Sequence, residues 1–555
     1  MRRRTPLFAG LVLACAVISN GDPSGVLRFI DTAKEAGLRA EMICGGSEKH
    51  WIMEANGSGV AVLDYDNDGL LDILIVNGST VPRLIRILAG ATPSPAANGL
   101  YLFHNLGHGR FSDVTAKAGL SNSYWGTGAN TADFNNDGFV DILVTNIGID
   151  LLFRNNGDGT FAEIGKSAGL SREIHWHTGS AFGDYDNDGN PDLYIAGYVD
   201  IRSINFGAAP GVCDYRGISG FCGPLNLKGE RDVLLRNNGD GTFSDVTERA
   251  KVVDVDARYG FTAVFEDWNQ DGRPDIFVAN DSGANYLYLN FGDGTFRESA
   301  LVSGVAFNGD GRSQANMGVA VGDYDHDGKL DLLTTTFSED YFPLFRQISP
   351  GYFEDVSAAA GLVAATTPYL GWGTGFADFD NDGELDLWVA NGHVYPTVGK
   401  LGSTTYLQPF SVFKNRRGRF SEAPLGLPKN SYRGAATADF DNDGRMDIAV
   451  LPIGGAPMLL SNRTENRNSW IGFSLGGTRS NRDALGARVQ IEGCNRKWFD
   501  TVRNGAGYLS RSDPRLHFGL GSCGVVEQAS IFWPSGKRQV LKNPAIDRYI
   551  TVREP

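Results

Sequence analysis

Short apolar runs alternate with polar, glycine-rich turns along most of the chain. Runs such as "DILIVNG" at 72–78, "DILVTN" at 141–146 and "DIFVAN" at 275–280 are too short for helices and rich in β-branched residues, which predicts buried strands. Turn signals such as "NNGDGTF" at 155–161 and 237–243 follow them. Because Asn-Gly and Asp-Gly readily adopt positive φ, these signals predict hairpins. The pattern therefore predicts an all-β chain of short antiparallel strands.

An acidic nine-residue loop precedes each of the main apolar runs. Seven copies of this loop, written Asp-x-[Asp/Asn]-x-Asp-Gly-x-x-Asp, start 51 to 83 residues apart, at 64, 133, 184, 267, 323, 378 and 439. Such a period indicates an array in which each repeat is one supersecondary unit. A unit of about four strands cannot bury both faces alone, so the units must pack on one another. Seven units predict a β-propeller, whose usual range is about 4 to 8 blades.

The ends of the array predict how the ring closes. The strand-opening phenylalanine of the repeats also occurs before the first loop, in "FIDTAKEAGL" at 29–38. After the seventh loop, "PMLLSN" at 457–462 is not followed by a further strand of this type. The N-terminal strand is therefore expected to complete the last blade, which leaves no edge strand unpaired.

The loops carry the ligands of a hard cation. Side-chain oxygens stand at positions 1, 3, 5 and 9, and glycine at position 6 permits the sharp bend of an EF-hand-like calcium loop, with a backbone carbonyl available at position 7. Calcium suits this set better than magnesium or zinc, so up to seven Ca²⁺ are expected. The predicted metal ligands are Asp64, Asp66, Asp68 and Asp72; Asp133, Asn135, Asp137 and Asp141; Asp184, Asp186, Asp188 and Asp192; Asp267, Asn269, Asp271 and Asp275; Asp323, Asp325, Asp327 and Asp331; Asp378, Asp380, Asp382 and Asp386; and Asp439, Asp441, Asp443 and Asp447.

Two other interpretations of the aspartates are weaker. A solvated acidic turn would not keep oxygen donors at four fixed positions through seven copies. Paired carboxylates for acid/base catalysis would be expected once, not in every repeat. Asn135 and Asn269 keep the ligand oxygen and remove a charge, which a metal site tolerates and a catalytic base does not.

The net charge fits the same interpretation. The formal charge is −15, with 65 acidic and 50 basic residues. Of the acidic residues, 26 stand at predicted ligand positions, which leaves 39 acidic residues against the 50 basic ones. The acidity is therefore expected to supply ligands rather than a surface for a basic partner.

The repeats and the C-terminal residues resemble known families. The seven loops resemble the FG-GAP/VCBS repeats of the integrin α-subunit propeller. "SNRDALGARV" at 480–489, "GYLSRSDPRLHFGLG" at 507–521 and "IFWPSGKRQVL" at 531–541 resemble the ASPIC/UnbV domain. This combination is that of the cartilage acidic protein family in its bacterial form. The resemblance implies a secreted calcium-binding interaction protein with an integrin-α-like propeller at 25–462 and an ASPIC/UnbV β-domain at 463–555.

The C-terminal part from Arg463 onward is basic, with 15 Lys/Arg against 8 Asp/Glu. Alternating stretches such as "ARVQIEG" predict a small β-domain. Its charge suits an acidic polysaccharide, and a capping module with solvated charges is the alternative. Nucleic acid is disfavoured because the N-terminal residues predict export.

The N-terminus predicts export. Residues 1–19 are typical of a signal peptide, because three arginines precede the apolar stretch "PLFAGLVLACAVIS". Cys15 resembles a lipobox cysteine, so a lipid anchor and ordinary cleavage both remain open. The protein is expected to be secreted, periplasmic or on the outer cell surface, with any membrane association through that anchor alone. Cys213 with Cys222, and Cys494 with Cys523, are the predicted disulfides, and Cys44 would stay single.

Three functions remain open from the sequence. The first is an interaction or adhesion module for an extracellular protein or polysaccharide, and the second is a lectin-like propeller. The third is a metalloenzyme, for which His175, His177 and His393 could meet at one propeller face. Gly-x-Ser-x-Gly, His-Glu-x-x-His and phosphate-loop motifs do not occur, so an enzyme is the less favoured class. The segment 198–231, with two cysteines, is the longest interruption of the period and the expected binding surface.

Overall fold

The computed structural model describes residues 26–94, 98–207, 212–254 and 258–555. The predicted signal segment at 1–19, and Cys15 with it, lies outside the described residues. In the described part of the chain, no helix is both long enough and apolar enough to cross a membrane.

Seven antiparallel blades of four strands form the ring, numbered here by the order of their acidic loops. Blades 2 and 3 are joined into one eight-stranded sheet, because His175 and Trp176 pair with Gly148 and Ile147. The strands are Val60–Leu63, Asp72–Val76, Leu100–Asn105 and Phe111–Asp113 in blade 1; Trp125–Ala132, Asp141–Gly148, Leu151–Asn155 and Phe161–Glu163 in blade 2; His175–Gly183, Asp192–Gly197, Val233–Asn237 and Phe243–Asp245 in blade 3; Tyr259–Glu266, Asp275–Asp281, Tyr286–Asn290 and Phe296–Glu298 in blade 4; Val319–Gly322, Asp331–Thr334, Leu344–Ser349 and Tyr352–Asp355 in blade 5; Gly371–Ala377, Asp386–Asn391, Phe410–Asn415 and Phe420–Ala423 in blade 6; and Tyr432–Ala438, Asp447–Pro452, Met458–Asn462 and Phe29–Asp31 in blade 7. The predicted seven-bladed β-propeller is confirmed.

Blade 7 closes the ring as predicted. The N-terminal strand Phe29–Asp31 pairs antiparallel with Met458–Asn462, with Phe29 opposite Asn462. The last blade thus takes its fourth strand from the other end of the chain. The edge of Met458–Asn462 that would otherwise stay open is therefore paired.

Aromatic pairs lock each blade to the one before it. The phenylalanine of the fourth strand packs on the aromatic side chain at position 2 of the preceding blade's acidic loop. The pairs are Phe111–Phe440, Phe161–Tyr65, Phe243–Phe134, Phe296–Tyr185, Phe353–Trp268, Phe420–Tyr324 and Phe29–Phe379, with ring centroids 5.2 to 6.2 Å apart. Because such pairs add stability beyond their buried area, they tie the acidic loops into the core between blades.

Helices are few and short. They span Ala33–Ala36, Met53–Asn56, Val81–Leu88, Ala300–Ser303, Ser357–Ala360 and Leu362–Thr366, with 3₁₀ turns at Ile201–Ser203 and Val398–Leu401. The insertion at 198–231 in blade 3 carries one of these turns and a small hairpin of Cys213–Tyr215 with Ile218–Gly220.

Both predicted disulfides are present. Cys213 and Cys222 have Cα atoms 5.1 Å apart, and those of Cys494 and Cys523 are 5.9 Å apart. Cys44 is a buried free thiol, as expected from its lack of a partner.

The C-terminal residues form a separate pair of small sheets. Leu516–Gly521, Ser469–Gly476 and Tyr549–Arg553 make a three-stranded sheet, and Arg496–Thr501, Arg488–Gly493, Gln528–Phe532 and Arg538–Lys542 make a four-stranded one. Their apolar residues share one buried cluster with blades 2 and 3, in which Ile471 and Ile531 meet Phe134 and Leu193. This domain therefore lies against the propeller on the side of the acidic loops.

One segment of the C-terminal domain, 503–513, enters the middle of the ring and is called the channel segment below. It hydrogen-bonds to the first strands of blades 1, 2, 3, 4, 5 and 7; examples are Arg511 N to Val60 O at 2.9 Å and Gly507 N to Val319 O at 2.7 Å. Gly505 has φ +92°, and a Cβ there would lie 2.4 Å from the carbonyl oxygen of Ala263. Only glycine fits so close to the strand.

Candidate metal centres

The acidic loops lie between the first and second strand of every blade and share one backbone shape. In loop 1, the carboxylate of Asp64 accepts hydrogen bonds from the backbone N–H of Asp68 at 3.1 Å and of Gly69 at 3.0 Å. Position 4 is left-handed, with φ +59° at Asn67. The same bonds from positions 5 and 6 reach the first aspartate of all seven loops. The sequence motif therefore folds one way in all seven copies.

The position-9 aspartate is the most deeply buried of the predicted ligands in loops 1 to 6, and in loop 7 Asp439 is more buried than Asp447. Asp72 has no solvent-exposed surface, yet it is a carboxylate surrounded by other carboxylates. Burial raises the pKa of Asp72 to about 8 and that of Asp141 and Asp331 to about 9. Burial also raises the pKa of the other four, Asp192, Asp275, Asp386 and Asp447, well above its ordinary value. A nearby cation would reverse this effect.

Carboxylate oxygens converge in the loops. In loops 1, 3 and 5, one oxygen each from positions 1, 3 and 9 lies within 4.8 Å of the others; in loop 6 the same holds for positions 1, 3 and 5. Calcium binds oxygen at about 2.3–2.6 Å, so ligands on opposite sides of one ion are about 5 Å apart. The groups are Asp64, Asp66 and Asp72; Asp184, Asp186 and Asp192; Asp323, Asp325 and Asp331; and Asp378, Asp380 and Asp382.

Several oxygens in these loops have no hydrogen-bond partner among the described residues. They are Asp141 Oδ2, Asp331 Oδ2, Asp380 Oδ1 and Asp386 Oδ2, and all are buried. An unpaired buried carboxylate oxygen is costly unless a cation completes its shell. The donor set and its burial thus fit a hard divalent cation.

Basic side chains also approach the loops from the third strand. Lys414 is hydrogen-bonded to Asp380, and Arg236 lies 2.7 Å from Asp186 and 2.5 Å from Asp188. Such cations balance part of the loop charge and compete with a metal ion for the same oxygens.

A ring of amide side chains joins the seven loops. In blade 2, the backbone N–H of Asn155 donates to the carboxylate of Asp141 at 2.7 Å, and its Nδ2 donates to the carbonyl of Tyr65, in loop 1, at 2.8 Å. Every blade repeats both bonds. The amides are Asn105, Asn155, Asn237, Asn290, Gln347, Asn415 and Asn462. We call this set the amide belt.

A second set of links runs the other way around the ring. The position-4 side chain Asn67 donates to the carbonyl of Gly138 in loop 2 at 3.0 Å, and four other loops repeat the bond. In loop 5 the equivalent residue is His326, which lies 3.4 Å from Glu384 of loop 6. Each loop is therefore fixed by its neighbours on both sides.

Sequence reasoning missed the amide belt and the basic neighbours. The signal for the belt was present, because the first Asn of "NNGDGTF" is the belt residue in blades 2 and 3. The motif alone indicates only a turn residue, because the partner of the amide lies in the preceding repeat.

The three candidate histidines each have partners of their own. The Nδ1 of His177 bonds to Asp150 and lies 2.5 Å from its carboxylate, and the Nδ1 of His175 lies 3.3 Å from Glu230. His393 accepts a hydrogen bond from the backbone N–H of Tyr395 at Nδ1, and its Nε2 is 3.1 Å from Ser338 Oγ. Burial lowers the pKa of His393 to about 3, so its ring is neutral with both nitrogens engaged. This arrangement does not favour a shared three-histidine metal site.

Two protein families match parts of the chain. The ASPIC and UnbV family matches residues 477–555, and the FG-GAP-like repeat family matches 87–144, 133–195 and 267–334. The chain thus carries FG-GAP-like repeats and an ASPIC and UnbV domain, which confirms the two resemblances in its sequence.

Curated relatives are similar over about half of this chain. Human cartilage acidic protein 1 is 29% identical over 292 residues, which are 50% of this chain and 41% of the human protein. The Xenopus tropicalis protein of the same name is 30% identical over 285 residues, which are 47% of this chain and 40% of the Xenopus protein. The chain spans about two fifths of the length of these relatives. Among solved structures, a lectin of Agrocybe aegerita that recognises non-reducing terminal N-acetylglucosamine is 15% identical, covers 72% of this chain and 89% of its own, and has a TM-score of 0.35.

Proposed function

We propose that the chain is a calcium-binding β-propeller that works outside the cytoplasm as an interaction or adhesion module for a protein or glycan. Up to seven Ca²⁺ would be held by positions 1, 3, 5 and 9 of the acidic loops. The ion would supply the positive charge that the buried aspartates lack, and the loops would then hold neighbouring blades in register through the amide belt.

One observation carries the calcium assignment. Buried carboxylate oxygens such as Asp331 Oδ2 and Asp386 Oδ2 have no partner among the described residues, although carboxylates of the same loops crowd around them. Neither a solvated turn nor a hydrogen-bonded core explains such oxygens. A hard cation explains their burial, their convergence and their repetition.

The extracellular assignment rests on the two disulfides. Cys213–Cys222 and Cys494–Cys523 are both formed, and such bonds persist in oxidising compartments. The interaction role rests on the insertion, which is closed by its own disulfide and is tied to the propeller face opposite the acidic loops by the hydrogen bond from Tyr395 to Phe221. The FG-GAP-like repeats and the ASPIC and UnbV domain support the same role.

Calorimetry with and without calcium tests the assignment. We expect EDTA to lower the melting temperature by on the order of 10 °C, because several weakly bound ions each stabilise the folded state. Calcium should restore it and magnesium should not. Asp331→Asn should reduce the calcium-dependent gain, whereas Asp240→Asn, at an exposed hairpin, should not. An unchanged melting temperature in EDTA would refute the calcium role.

The interaction role needs a separate measurement. The full mature chain, immobilised with calcium, should retain a protein or glycan from the surface of the producing cell, and a chain unfolded by heat should not. Failure of the native chain to retain either class would refute the interaction role and leave the calcium assignment standing.

A further inference from the structure

A cavity of about 380 Å³ lies at the face of the propeller opposite the acidic loops. Its walls come from the strand ends of blades 3 to 6, from the disulfide-bonded insertion, and from Ile52 and Asn56 at the short helix before blade 1. The volume is within the range of about 300–1,000 Å³ that is typical of small-molecule sites. The amide belt and the loop carboxylates take no part in it.

The insertion forms a fixed wall of this cavity. The hydroxyl of Tyr395 donates to the carbonyl of Phe221 at 3.1 Å, and the two rings pack 4.9 Å apart. Tyr215 of the insertion packs on Phe337 of blade 5 at 5.7 Å. The Cys213–Cys222 disulfide closes the hairpin that carries these residues. The wall is therefore pre-formed.

Aromatic side chains dominate the lining. They are Tyr198, Phe221, Phe261, Phe337, Trp372 and Tyr395. Trp372 and Phe261 rest in turn on Tyr508 of the channel segment, with ring centroids 5.0 and 5.4 Å apart. The cavity floor is thus supported from within the ring.

The polar lining presents no free charge. Lysine, arginine and histidine are absent from it among the described residues. Asp281 accepts hydrogen bonds from the hydroxyls of Tyr198 at 2.7 Å and Ser282 at 2.8 Å. Asp340 faces Arg312 and Arg216 and is hydrogen-bonded by Gln314. The two arginines near Asp340 do not line the cavity, and Arg216 is also paired with Glu339. An anionic ligand would therefore find no unpaired cation among the described lining residues, and an organic cation would find both carboxylates already engaged.

An amide donor and an amide acceptor remain. Asn56 Nδ2 and Gln314 Oε1 belong to lining residues, are buried, and have no hydrogen-bond partner among the described residues. Leaving these two buried groups without hydrogen bonds is costly. A purely apolar ligand would leave them unpaired. A neutral ligand that both donates and accepts, and also has an apolar face, matches the lining.

We propose that this cavity binds a neutral sugar residue. A pyranose has hydroxyls that donate and accept and C–H faces that pack on aromatic rings, which is the combination the lining requires. This inference deepens the proposed interaction role and rests on it, because it names a neutral glycan as the class of ligand.

A glycan array of the full mature chain in calcium tests the proposal. The array carries neutral, uronate-containing and sulfated glycans, and the methyl glycoside of the best neutral sugar is then titrated calorimetrically, with choline as the cationic probe. Neutral sugars should bind, and Leu225→Trp should weaken them at least tenfold. Leu225 lines the cavity and is 59% exposed, so the larger side chain fills the mouth without disturbing a core.

Leu301→Trp is the matched control, since Leu301 is 68% exposed and does not line the cavity. It should bind as the parent does. The proposal is overturned if no neutral sugar binds, if Leu225→Trp binds normally, or if sulfated glycans or choline are preferred. Calcium stabilisation is measured on the same samples. Lost sugar binding with retained calcium stabilisation therefore refutes the cavity proposal alone.

Discussion

One position on the third strand, immediately before the belt amide, sets the charge beside each loop. Lys414 and Arg236 occupy it in blades 6 and 3 and contact loop carboxylates, and His104 in blade 1 lies 3.3 Å from Asp72. Blades 4 and 7 have Leu289 and Ser461 there. The seven loops share a backbone but not an electrostatic environment, so their affinities for a cation should differ.

Replacing Lys414 with serine, the residue of blade 7, should raise the calcium affinity of loop 6. The ammonium bonds to Asp380 and lies 3.6 Å from Asp382, so its removal frees two ligands. We expect a gain on the order of threefold to tenfold, about 0.6–1.4 kcal/mol. Isothermal titration with calcium measures it. Arg154→Ser is the control, because Arg154 stands at the same position in blade 2 and has no ion pair with its loop among the described residues. Equal affinities of the parent and Lys414→Ser would contradict the competition.

Glu554 predicts how the C-terminal strand responds to acid. Burial alone would raise its pKa, but hydrogen bonds from Ser535 and from the backbone N–H groups of residues 478–480 lower the pKa to about 2. A carboxylate whose pKa is lowered in the folded state stabilises the fold at pH values above its unfolded pKa of about 4.3. That stability is lost as the pH falls towards 2. Glu554→Gln should cost about 1.5–3 kcal/mol at pH 7.

Urea unfolding at pH 7, 5, 4 and 3 checks the sign of this effect. The gap between Glu554→Gln and the parent should be widest at pH 7 and 5 and should narrow below pH 4. Glu527→Gln, on the exposed surface of the same domain, should track the parent at every pH. A gap that widens towards acid would show that the carboxylate is not the stabilising form.

At the scale of elements, local signals were sufficient for the blades and insufficient for the contacts between them. The acidic loops and tight hairpins follow from bonds between residues close in sequence, such as Asp64 with Gly69, and the strand count follows from the repetition of these signals. Asn155 bonds to Tyr65, which is 90 residues away in another repeat, and no turn signal encodes that. The disulfides were predictable because each joins one local region. The channel segment was not, because its partners lie in six blades.

Asn155→Ala should destabilise the ring more than its position in a turn suggests. The change removes hydrogen bonds to the carbonyls of Tyr65 and Val140 and to the N–H of Gly157, and leaves two buried carbonyls without that donor. We expect a loss of about 1–3 kcal/mol in denaturant unfolding. Asn156→Ala, the next residue, bonds to Thr160 within its own hairpin and should cost less than about 1 kcal/mol. Equal losses would mean that the belt bond contributes nothing beyond the turn.

At the scale of the whole molecule, the channel segment makes the propeller and the C-terminal domain depend on each other. Blades of a propeller normally leave a central channel. Here the segment fills it and bonds to first strands on nearly every side. Tyr508 reaches the far end, where its hydroxyl donates to the carbonyl of Asn56 at 3.0 Å. The two faces of the molecule, one with the acidic loops and one with the aromatic cavity, are thereby joined through a single buried strip.

This linkage predicts that the two domains unfold together. Calorimetry of the full mature chain in calcium should give one transition, because separating the domains would expose the hydrogen-bonding groups of six first strands. Tyr508→Ala should shift that single transition to lower temperature and reduce the free energy of unfolding by about 3–5 kcal/mol. The reason is that the ring of Tyr508 is fully buried between Trp372 and Phe261. Tyr352→Ala, at a half-exposed ring on blade 5, should cost less than about 1 kcal/mol. Two separate transitions in the parent, or a Tyr508→Ala shift confined to one of them, would show that the segment occupies the channel without coupling the domains.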